Sequence, residues 1–203
     1  MMNGQACSAS KRLIVHRSLH DQLAAKLVDA VQAQRHGAAT DPDSTVGPLI
    51  HAGAAEKVAG QVANARSQGA EIAAGTGEAD GAYFAPTLLA GVPFDADIAR
   101  DDEIFGPVFN LIPVDSTEQA IEVANSSSFG LMASVFSEDP RRALHVGEEL
   151  ESGGVVINGS DNYRPPVIPF GGTKLCGRGR EGLGYTLDEL ARGAAIVFSR
   201  FRA

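Results

Sequence analysis

The chain has 203 residues, of which 44% are hydrophobic and 21% are charged, and its formal net charge is −8. A chain of this length can form one sizeable core or two small domains. The acidic balance and the lack of a basic run argue against binding to nucleic acid or to an anionic membrane surface. No apolar run is long enough to cross a bilayer and no signal peptide opens the sequence, so we expect a cytoplasmic protein.

The first half of the chain alternates short apolar runs with helical patterns. Residues 12–16 predict a strand, and a helix is expected to start at Ser18 with Asp21 as its capping partner. A second helix of about five turns is expected to end at Gly69. Two further strands are predicted, the second at an edge or a bulge because it contains Pro86: residues 70–74 and 83–89.

The second half repeats the alternation. A strand over 108–114, interrupted by Pro113, precedes a helix capped by Ser116. A buried strand, a helix opening at Pro140 and a further strand complete the pattern, the two strands being residues 131–136 and 153–158. This order of strands and helices indicates an α/β fold with a largely parallel sheet flanked by helices.

The last apolar segment, residues 194–201, is strongly β-prone and stands alone at the terminus. Such a strand needs an edge to pair with, either in its own chain or in another subunit.

The cysteines and histidines do not form a metal-binding pattern. Cys7 and Cys176 are far apart in the sequence and lack the spacing of a metal site. His16 and His20 are four residues apart, but His16 precedes the expected helix start, so the two rings need not share a face. We therefore expect no metal site, and free thiols in a reducing environment.

Cys7 follows a glycine-bearing turn and precedes small residues that tolerate a helix. If a helix opens there, its unpaired N–H groups and partial positive charge would favour the thiolate, which is the nucleophilic form. The residues alone also allow an inert cysteine.

Three stretches carry a family resemblance. Gly4-Gln5-Ala6-Cys7, the motif from Glu103 to Val108, and the run from Pro169 to Lys174 with its continuation to Gly182 occur in this order. Together they resemble the catalytic-cysteine, Glu-Ile-Phe-Gly-Pro-Val and C-terminal motifs of the NAD(P)-dependent aldehyde dehydrogenase superfamily. The chain is similar to lactaldehyde, phosphonoacetaldehyde and glyceraldehyde-type members, which carry an arginine near Arg164.

The resemblance implies roles for particular residues. Cys7 would attack the aldehyde carbonyl and form first a thiohemiacetal and then a thioester. Glu103 would hold the nicotinamide-ribose hydroxyls, since a carboxylate accepts two hydrogen bonds at once. Phe105 would pack near the nicotinamide, and Lys57 lies where the family often has a ribose-contacting side chain. The implied cofactor is NAD or NADP.

The implied substrate site is near the C-terminal motif. Arg164, with Phe170, would line the substrate entrance and pair with an anionic group, although a surface arginine in a polar loop is an equal alternative. Residues 177–182 spell GxGxxG but do not directly follow a strand, so they are not a phosphate-binding motif. Cys176 is expected to be a structural thiol.

The resemblance also implies the organisation of the chain. Residues 1–190 correspond to the cysteine-bearing catalytic domain without the preceding nucleotide-binding domain, and residues 191–203 correspond to an oligomerisation strand. The family's base glutamate belongs to the preceding domain, so we expect the chain alone to be inactive. The alternatives are a non-catalytic assembly module or one half of a split enzyme. Expected partners are a small aldehyde and either further copies of the chain or the missing N-terminal half.

Overall fold

The structure is a computed structural model that describes residues 2–200. The elements follow the predicted order of strands and helices. They are β1 (Arg12–His16), α1 (Arg17–Gln32), α2 (Ala52–Ser67), β2 (Glu71–Ala74), β3 (Ala79–Asp80), β4 (Tyr83–Phe84), β5 (Thr87–Ala90), β6 (Val108–Val114), α3 (Thr117–Asn125), β7 (Phe129–Gly130), β8 (Met132–Val135), α4 (Pro140–Glu149), β9 (Gly154–Ile157), β10 (Thr173–Lys174) and α5 (Tyr185–Leu190).

The main sheet has the strand order β1-β6-β5-β2. Strand β6 runs parallel to both of its neighbours, pairing Arg12 with Asn110 on one side and Thr87 with Val108 on the other. Strand β2 lies at one edge of this sheet and pairs with β5 in the antiparallel direction. A second, two-stranded parallel sheet is formed by β8 and β9. The predicted α/β fold with a largely parallel sheet is confirmed.

Each face of the main sheet is covered by a different helix. Leu88 and Leu111 pack with α1, whereas the next residues, Leu89 and Ile112, belong to the cluster that contains the buried side of α2. Successive side chains of a strand point to opposite faces, so β5 and β6 contribute to both clusters. All four of these side chains are fully buried, which explains why both strands carry two consecutive apolar residues at this level of the sheet.

The parallel pairing of β1 with β6 brings two distant loops to one edge of the sheet. Residues 3–10, here called the cysteine loop, lead into β1, and residues 101–106, here called the acidic turn, lead into β6. Because the amino ends of neighbouring parallel strands lie at the same edge, these two segments become neighbours although they are far apart in the sequence.

The helix starts follow the expected chemistry with one correction. Ser116 caps α3 by accepting a hydrogen bond from the Gln119 N–H at 3.1 Å, and Asp139 caps α4 ahead of Pro140. At α1 the expected Ser18 cap is wrong. The helix begins at Arg17, and the ring of His16 accepts the Ser18 N–H, because the imidazole nitrogen is an acceptor as suitable as a hydroxyl.

Two strand predictions need correction. Pro86 marks neither an edge nor a bulge within its strand. It precedes β5, an internal strand whose ladder starts at Thr87, so its missing N–H costs no ladder bond. The strand predicted as buried over 131–136 is only partly buried, and Phe136 is exposed. The reason is that β8 pairs with β9 alone, with α4 packed against them.

The C-terminal segment does not form the predicted strand within the part of the chain that the structure describes. Residues 191–200 are exposed and belong to no strand, and residues 201–203 of the predicted terminal element lie outside the described residues. Pairing of this segment with another subunit stays a prediction. Among residues 2–200, no helix combines the length and the apolar character that crossing a membrane requires.

Candidate active site

The cysteine loop is a sequence of tight turns. The Ala9 N–H donates to the Ala6 carbonyl at 3.1 Å, and Cys7 lies exposed within this turn. The condition considered for Cys7, a helix opening at this point, is not met, since the first α-helix of the described residues begins at Arg17, after β1. Within residues 2–200 the Cys7 backbone N–H has no protein acceptor, so it is available to an oxyanion formed next to the sulfur.

The cysteine loop packs directly against the acidic turn. A Cβ atom placed on Gly4 would lie 2.0 Å from the carbonyl oxygen of Gly106, so the two backbones touch in a way that only glycine permits. On the same side, the Asn3 amide donates to the Gly47 carbonyl at 2.8 Å. These contacts anchor the start of the loop.

Lys11 joins the same two segments from the other end of the loop. Its ammonium donates to the carbonyl oxygens of Gly4 at 2.9 Å and Ala6 at 3.1 Å, and it lies 4.2 Å from the centre of the Phe105 ring. Burial lowers the pKa of Lys11, while the nearby charges of Glu103, Cys7 and Asp161 act in the opposite direction.

The loop that follows β9 borders the other side of the cysteine loop. The Ser8 hydroxyl donates to the Asn162 side-chain oxygen at 3.1 Å, and the Ser10 hydroxyl lies 2.9 and 2.8 Å from the two Asp161 carboxylate oxygens. The cysteine loop is thus held between the acidic turn and the segment that leads to Arg164.

The three carboxylates of the acidic turn have different environments. One Asp101 oxygen accepts hydrogen bonds from the Ser128 N–H at 2.7 Å and from the hydroxyls of Ser127 and Ser128. Asp102 accepts the amide of buried Gln61 at 2.5 Å. Glu103, which is half-buried, accepts no side-chain hydrogen bond from the described residues 2–200. Of the three, Glu103 therefore has the carboxylate that remains open to a ligand.

The surroundings of Asp101 also involve the half-buried cation of Arg12. The backbone hydrogen bond from Ser128 is the main cause that lowers the pKa of Asp101, and the charge of Arg12 adds to it. Arg12 donates to the carbonyls of Ala99, Val123 and Ala124, and burial lowers its pKa. These bonds fix the acidic turn against the end of α3.

Of the other two predicted cofactor residues, Phe105 belongs to the acidic turn and Lys57 lies on α2 behind it. The Phe105 side chain is 39% exposed, so part of its surface is open to solvent. A Cβ on Gly106 would lie 2.8 Å from a Val58 methyl group, so α2 packs tightly behind the turn. Lys57 precedes Val58 on this helix and is exposed. Its ribose-contacting role stays a prediction.

The predicted substrate residues Arg164 and Phe170 contact each other. The Arg164 guanidinium stacks over the Phe170 ring with 3.6 Å to the ring centre, and it forms an ion pair with Glu181. Both lie beside an open cleft bounded by β9 and residues 163–170. Cys7 does not line this cleft. The structure thus brings Arg164 next to Phe170. Arg164 is connected to the cysteine loop indirectly, through Asp161 and Asn162 of the segment that follows β9.

The glycines of the C-terminal motif permit close backbone packing. A Cβ on Gly171 would lie 2.2 Å from the Gly179 carbonyl oxygen, and a Cβ on Gly153, just before β9, would lie 1.6 Å from the Gly171 carbonyl oxygen. Cys176 is half-buried, and its sulfur accepts the Gly130 N–H at 3.4 Å. The expectation that this thiol is structural agrees with these contacts.

Sequence reasoning missed two residues that organise the site. One is Lys11, whose ammonium bonds to the cysteine loop and whose sequence signal is its place immediately before the strand at 12–16. Gln61 is 7% exposed and also donates to the Glu103 carbonyl at 3.1 Å. The sequence did contain a signal for Gln61. It is a polar residue one turn after Val58, on the apolar side of α2.

Comparison with known proteins identifies the relatives of the chain. Residues 1–195 match the model of the aldehyde dehydrogenase family. The 3-sulfolactaldehyde dehydrogenase of Priestia aryabhattai is 33% identical over 196 residues, covering 97% of this chain and 41% of the relative. The lactaldehyde dehydrogenase of Methanococcus aeolicus is 34% identical, covering 96% of this chain and 41% of the relative. The chain thus spans about two fifths of the length of these relatives.

Comparison with solved structures leads to the same family. A salicylaldehyde dehydrogenase from Pseudomonas putida G7, complexed with salicylaldehyde, has a TM-score of 0.88 and 34% identity, with 92% of this chain and 38% of that chain covered. The glyceraldehyde-3-phosphate dehydrogenase of Methanocaldococcus jannaschii, complexed with NADP, has a TM-score of 0.86 and 35% identity, with 93% and 40% covered. By sequence and by fold, this chain belongs to the aldehyde dehydrogenase family.

Proposed function

We propose that this chain is the cysteine-bearing catalytic portion of an enzyme that oxidises an aldehyde to a carboxylic acid with NAD or NADP. The observation that carries the proposal is the contact between Gly4 and Gly106, which joins the cysteine loop to the acidic turn. Nucleophile and cofactor-binding residues have to be neighbours in such an enzyme, because the carbon bound to sulfur must donate a hydride directly.

Cys7 is the nucleophile in this mechanism. Its thiolate attacks the aldehyde carbon and forms a carbon–sulfur bond, while the carbonyl electron pair moves to oxygen and gives a thiohemiacetal. The Cys7 N–H, which no acceptor within residues 2–200 engages, donates to that oxygen. Exposure of Cys7 leaves room for the aldehyde to approach.

The residues of the acidic turn fit the nicotinamide end of a dinucleotide. The open Glu103 carboxylate would accept hydrogen bonds from two ribose hydroxyls, and the exposed part of the Phe105 ring would offer an apolar contact. When bound, the nicotinamide supplies the hydride acceptor. Loss of hydride leaves a thioester on Cys7, whose hydrolysis by water releases the acid and restores the thiol.

The family resemblance assigns activation of that water to a glutamate that precedes the cysteine in the family, outside the residues of this chain. We therefore infer that the 203 residues alone do not turn over. A nucleotide-binding half would complete the site, and the choice between NAD and NADP would belong to that half.

The substrate class proposed is a small aldehyde with an anionic group. Arg164 is exposed and lies against Phe170, and its present partner is the carboxylate of Glu181. A sulfonate or carboxylate could share the guanidinium because its planar fork has several donors. The names of relatives, among them 3-sulfolactaldehyde and sulfoacetaldehyde dehydrogenases, agree with this class.

The test is reconstitution. The chain is mixed with a separately produced nucleotide-binding half of a relative, association is checked by gel filtration, and NADH or NADPH formation is followed with succinate semialdehyde. We expect turnover only in the associated mixture, and none with Cys7→Ser. Turnover by the chain alone would refute the inferred dependence on a second half, and an associated but inactive mixture would refute the catalytic assignment.

A second candidate function, an assembly module, is supported by the exposed apolar side chains of the C-terminal part. These include Tyr163, Val167, Leu175, Leu183, Leu187, Leu190, Ile196 and Val197. Such an apolar surface favours association with a further copy of the chain. Gel filtration over a range of concentrations tests this candidate, and a monomer at every concentration would exclude it.

A further inference from the structure

Lys11 is the one ammonium group that contacts both the cysteine loop and the acidic turn among the described residues. Its bonds to the Gly4 and Ala6 carbonyls hold the backbone immediately before Cys7. The same group lies over the Phe105 ring at 4.2 Å, a cation–π distance. A single side chain therefore spans the two segments that the proposed reaction needs to keep together.

The charges that face Lys11 come from each segment packed around it. Glu103 belongs to the acidic turn, Cys7 to the cysteine loop, and Asp161 to the loop after β9. Carbonyl oxygens, an aromatic face and carboxylates all favour a protonated amine, against the cost of partial burial. The bond to the Ala6 carbonyl places this positive charge at the backbone that immediately precedes Cys7.

We propose that Lys11 is a positioning residue: it connects the cysteine loop to the acidic turn and, through its bond to the Ala6 carbonyl, holds a positive charge at the backbone next to Cys7. The inference rests on the proposed function, in which Cys7 is the nucleophile. Lys11 acts through Cys7 and Phe105, and it bonds to neither the aldehyde nor the cofactor.

The geometry distinguishes lysine from arginine at this position. An ammonium is compact and directs its three donors to converging acceptors, here two carbonyls and a ring face. A guanidinium keeps the charge, but its planar fork does not reproduce these converging bonds. Lys11→Arg therefore separates the effect of charge from the effect of the connection, and Lys11→Met removes both.

The connection is tested by amide hydrogen exchange of the full chain, measured segment by segment. We expect Lys11→Met to raise exchange about fivefold or more in both the cysteine loop and the acidic turn, because local opening is no longer opposed by the shared contacts. Lys11→Arg should give an intermediate increase. The matched control is Lys26→Met, which removes the same charge from an exposed position on α1 and should change neither segment.

If Lys11→Met leaves hydrogen exchange unchanged in both segments, or changes it in the cysteine loop alone, Lys11 does not connect the two segments. If Lys11→Met does not fold, Phe105→Leu provides the second test, since it removes only the ring contact. In that variant we expect faster exchange in the acidic turn and in residues 4–6, and no response of the cysteine loop would equally overturn the proposal.

The charge is tested by the rate at which iodoacetamide alkylates Cys7 as a function of pH, quantified on the Cys7 peptide by mass spectrometry. We expect Lys11→Met to slow alkylation near neutral pH about threefold and to move the profile to higher pH, because a charge that favours the thiolate is lost. Lys11→Arg should keep the wild-type profile, which a purely structural role would not explain.

The two outcomes separate this inference from the proposed function. A reactive Cys7 whose profile is the same in Lys11→Met and wild type would refute the role of Lys11 alone. A wild-type Cys7 that reacts no faster than a model peptide, with the exchange effect intact, would refute the nucleophile assignment and the charge effect, and would leave only the connection.

Discussion

Gly4 has a φ of +77° and faces the carbonyl oxygen of Gly106 at a distance that excludes any side chain, since a Cβ there would lie 2.0 Å from that oxygen. This contact between two backbones joins the cysteine loop to the acidic turn independently of any side chain. It also explains in physical terms why the cysteine motif contains glycine three residues before the sulfur.

Gly4→Ala is expected to separate the two segments. The added methyl group needs a strained φ and a shift of the Gly106 backbone, and we expect a loss of about 2 kcal/mol or more in the free energy of unfolding. Denaturant unfolding measures this loss. Gly60→Ala is the control, because Gly60 lies within α2 with open space around it and should gain about 0.5–1 kcal/mol. Equal effects of both substitutions would contradict the contact.

Gln61→Ala is expected to release the acidic turn from α2. It removes the donor shared by the Asp102 carboxylate and the Glu103 carbonyl, and the loss of hydrogen bonds at a buried position costs about 1–3 kcal/mol. Unfolding experiments should therefore give a clear destabilisation. Exposed Gln22 on α1 serves as the comparison, where Gln22→Ala should stay within about 0.5 kcal/mol of wild type. Indistinguishable variants would argue against this anchor.

Asp101→Asn tests the pH dependence of stability. The Ser128 N–H lowers the pKa of Asp101 in the folded chain, so this carboxylate stabilises the fold above its ordinary value of about 3.9. That contribution is lost as the pH falls through the lower value of the folded chain. We expect the variant to be less stable near neutral pH by at most about 1 kcal/mol, because the group is exposed.

The stability difference between Asp101→Asn and wild type should then shrink at acid pH, which thermal unfolding at several pH values measures. Asp95→Asn is the matched control, since Asp95 is exposed and has no hydrogen-bond partner among residues 2–200. A difference that stays constant across the pH range would show that the Asp101 carboxylate is not the cause.

The two thiols should react at different rates. Cys7 is exposed, whereas Cys176 is half-buried and accepts the Gly130 N–H. We expect iodoacetamide to modify Cys7 about tenfold faster than Cys176 near neutral pH, because alkylation requires an accessible sulfur. Peptide mapping after short exposure gives the two rates. Faster modification of Cys176 would contradict the described arrangement.

Arg164→Gln should change substrate choice in the reconstituted enzyme. Loss of the guanidinium removes the group proposed to hold an anionic substrate, and we expect KM for succinate semialdehyde to rise about tenfold. A neutral short aldehyde should be little affected. Arg178→Gln, at another exposed arginine of the C-terminal motif, provides the comparison. A parallel loss for both aldehydes would assign Arg164 a structural role through Glu181 and Phe170.

Much of the local structure was predictable from local patterns. The strand at Arg12–His16, the apolar face of α2 and the caps at Ser116 and Asp139 follow from short-range periodicity and side-chain chemistry. The Ser18 cap was wrong although it is local, because the His16 ring accepts the Ser18 N–H instead. The burial predicted for residues 131–136 was wrong because it depends on packing partners, and among the described elements β8 pairs only with β9, with α4 packed against it.

The sequence by itself determined the family, through motifs whose spelling and order carry the resemblance, and it determined most elements, since periodicity is a local property. Only the tertiary structure decided that β1 pairs with β6, because an apolar strand does not encode which other apolar strand covers its edge. That pairing sets Lys11 over Phe105 and leaves Glu103 as the open carboxylate of the acidic turn. These relations depend on distances between segments far apart in the chain, and no local pattern contains them.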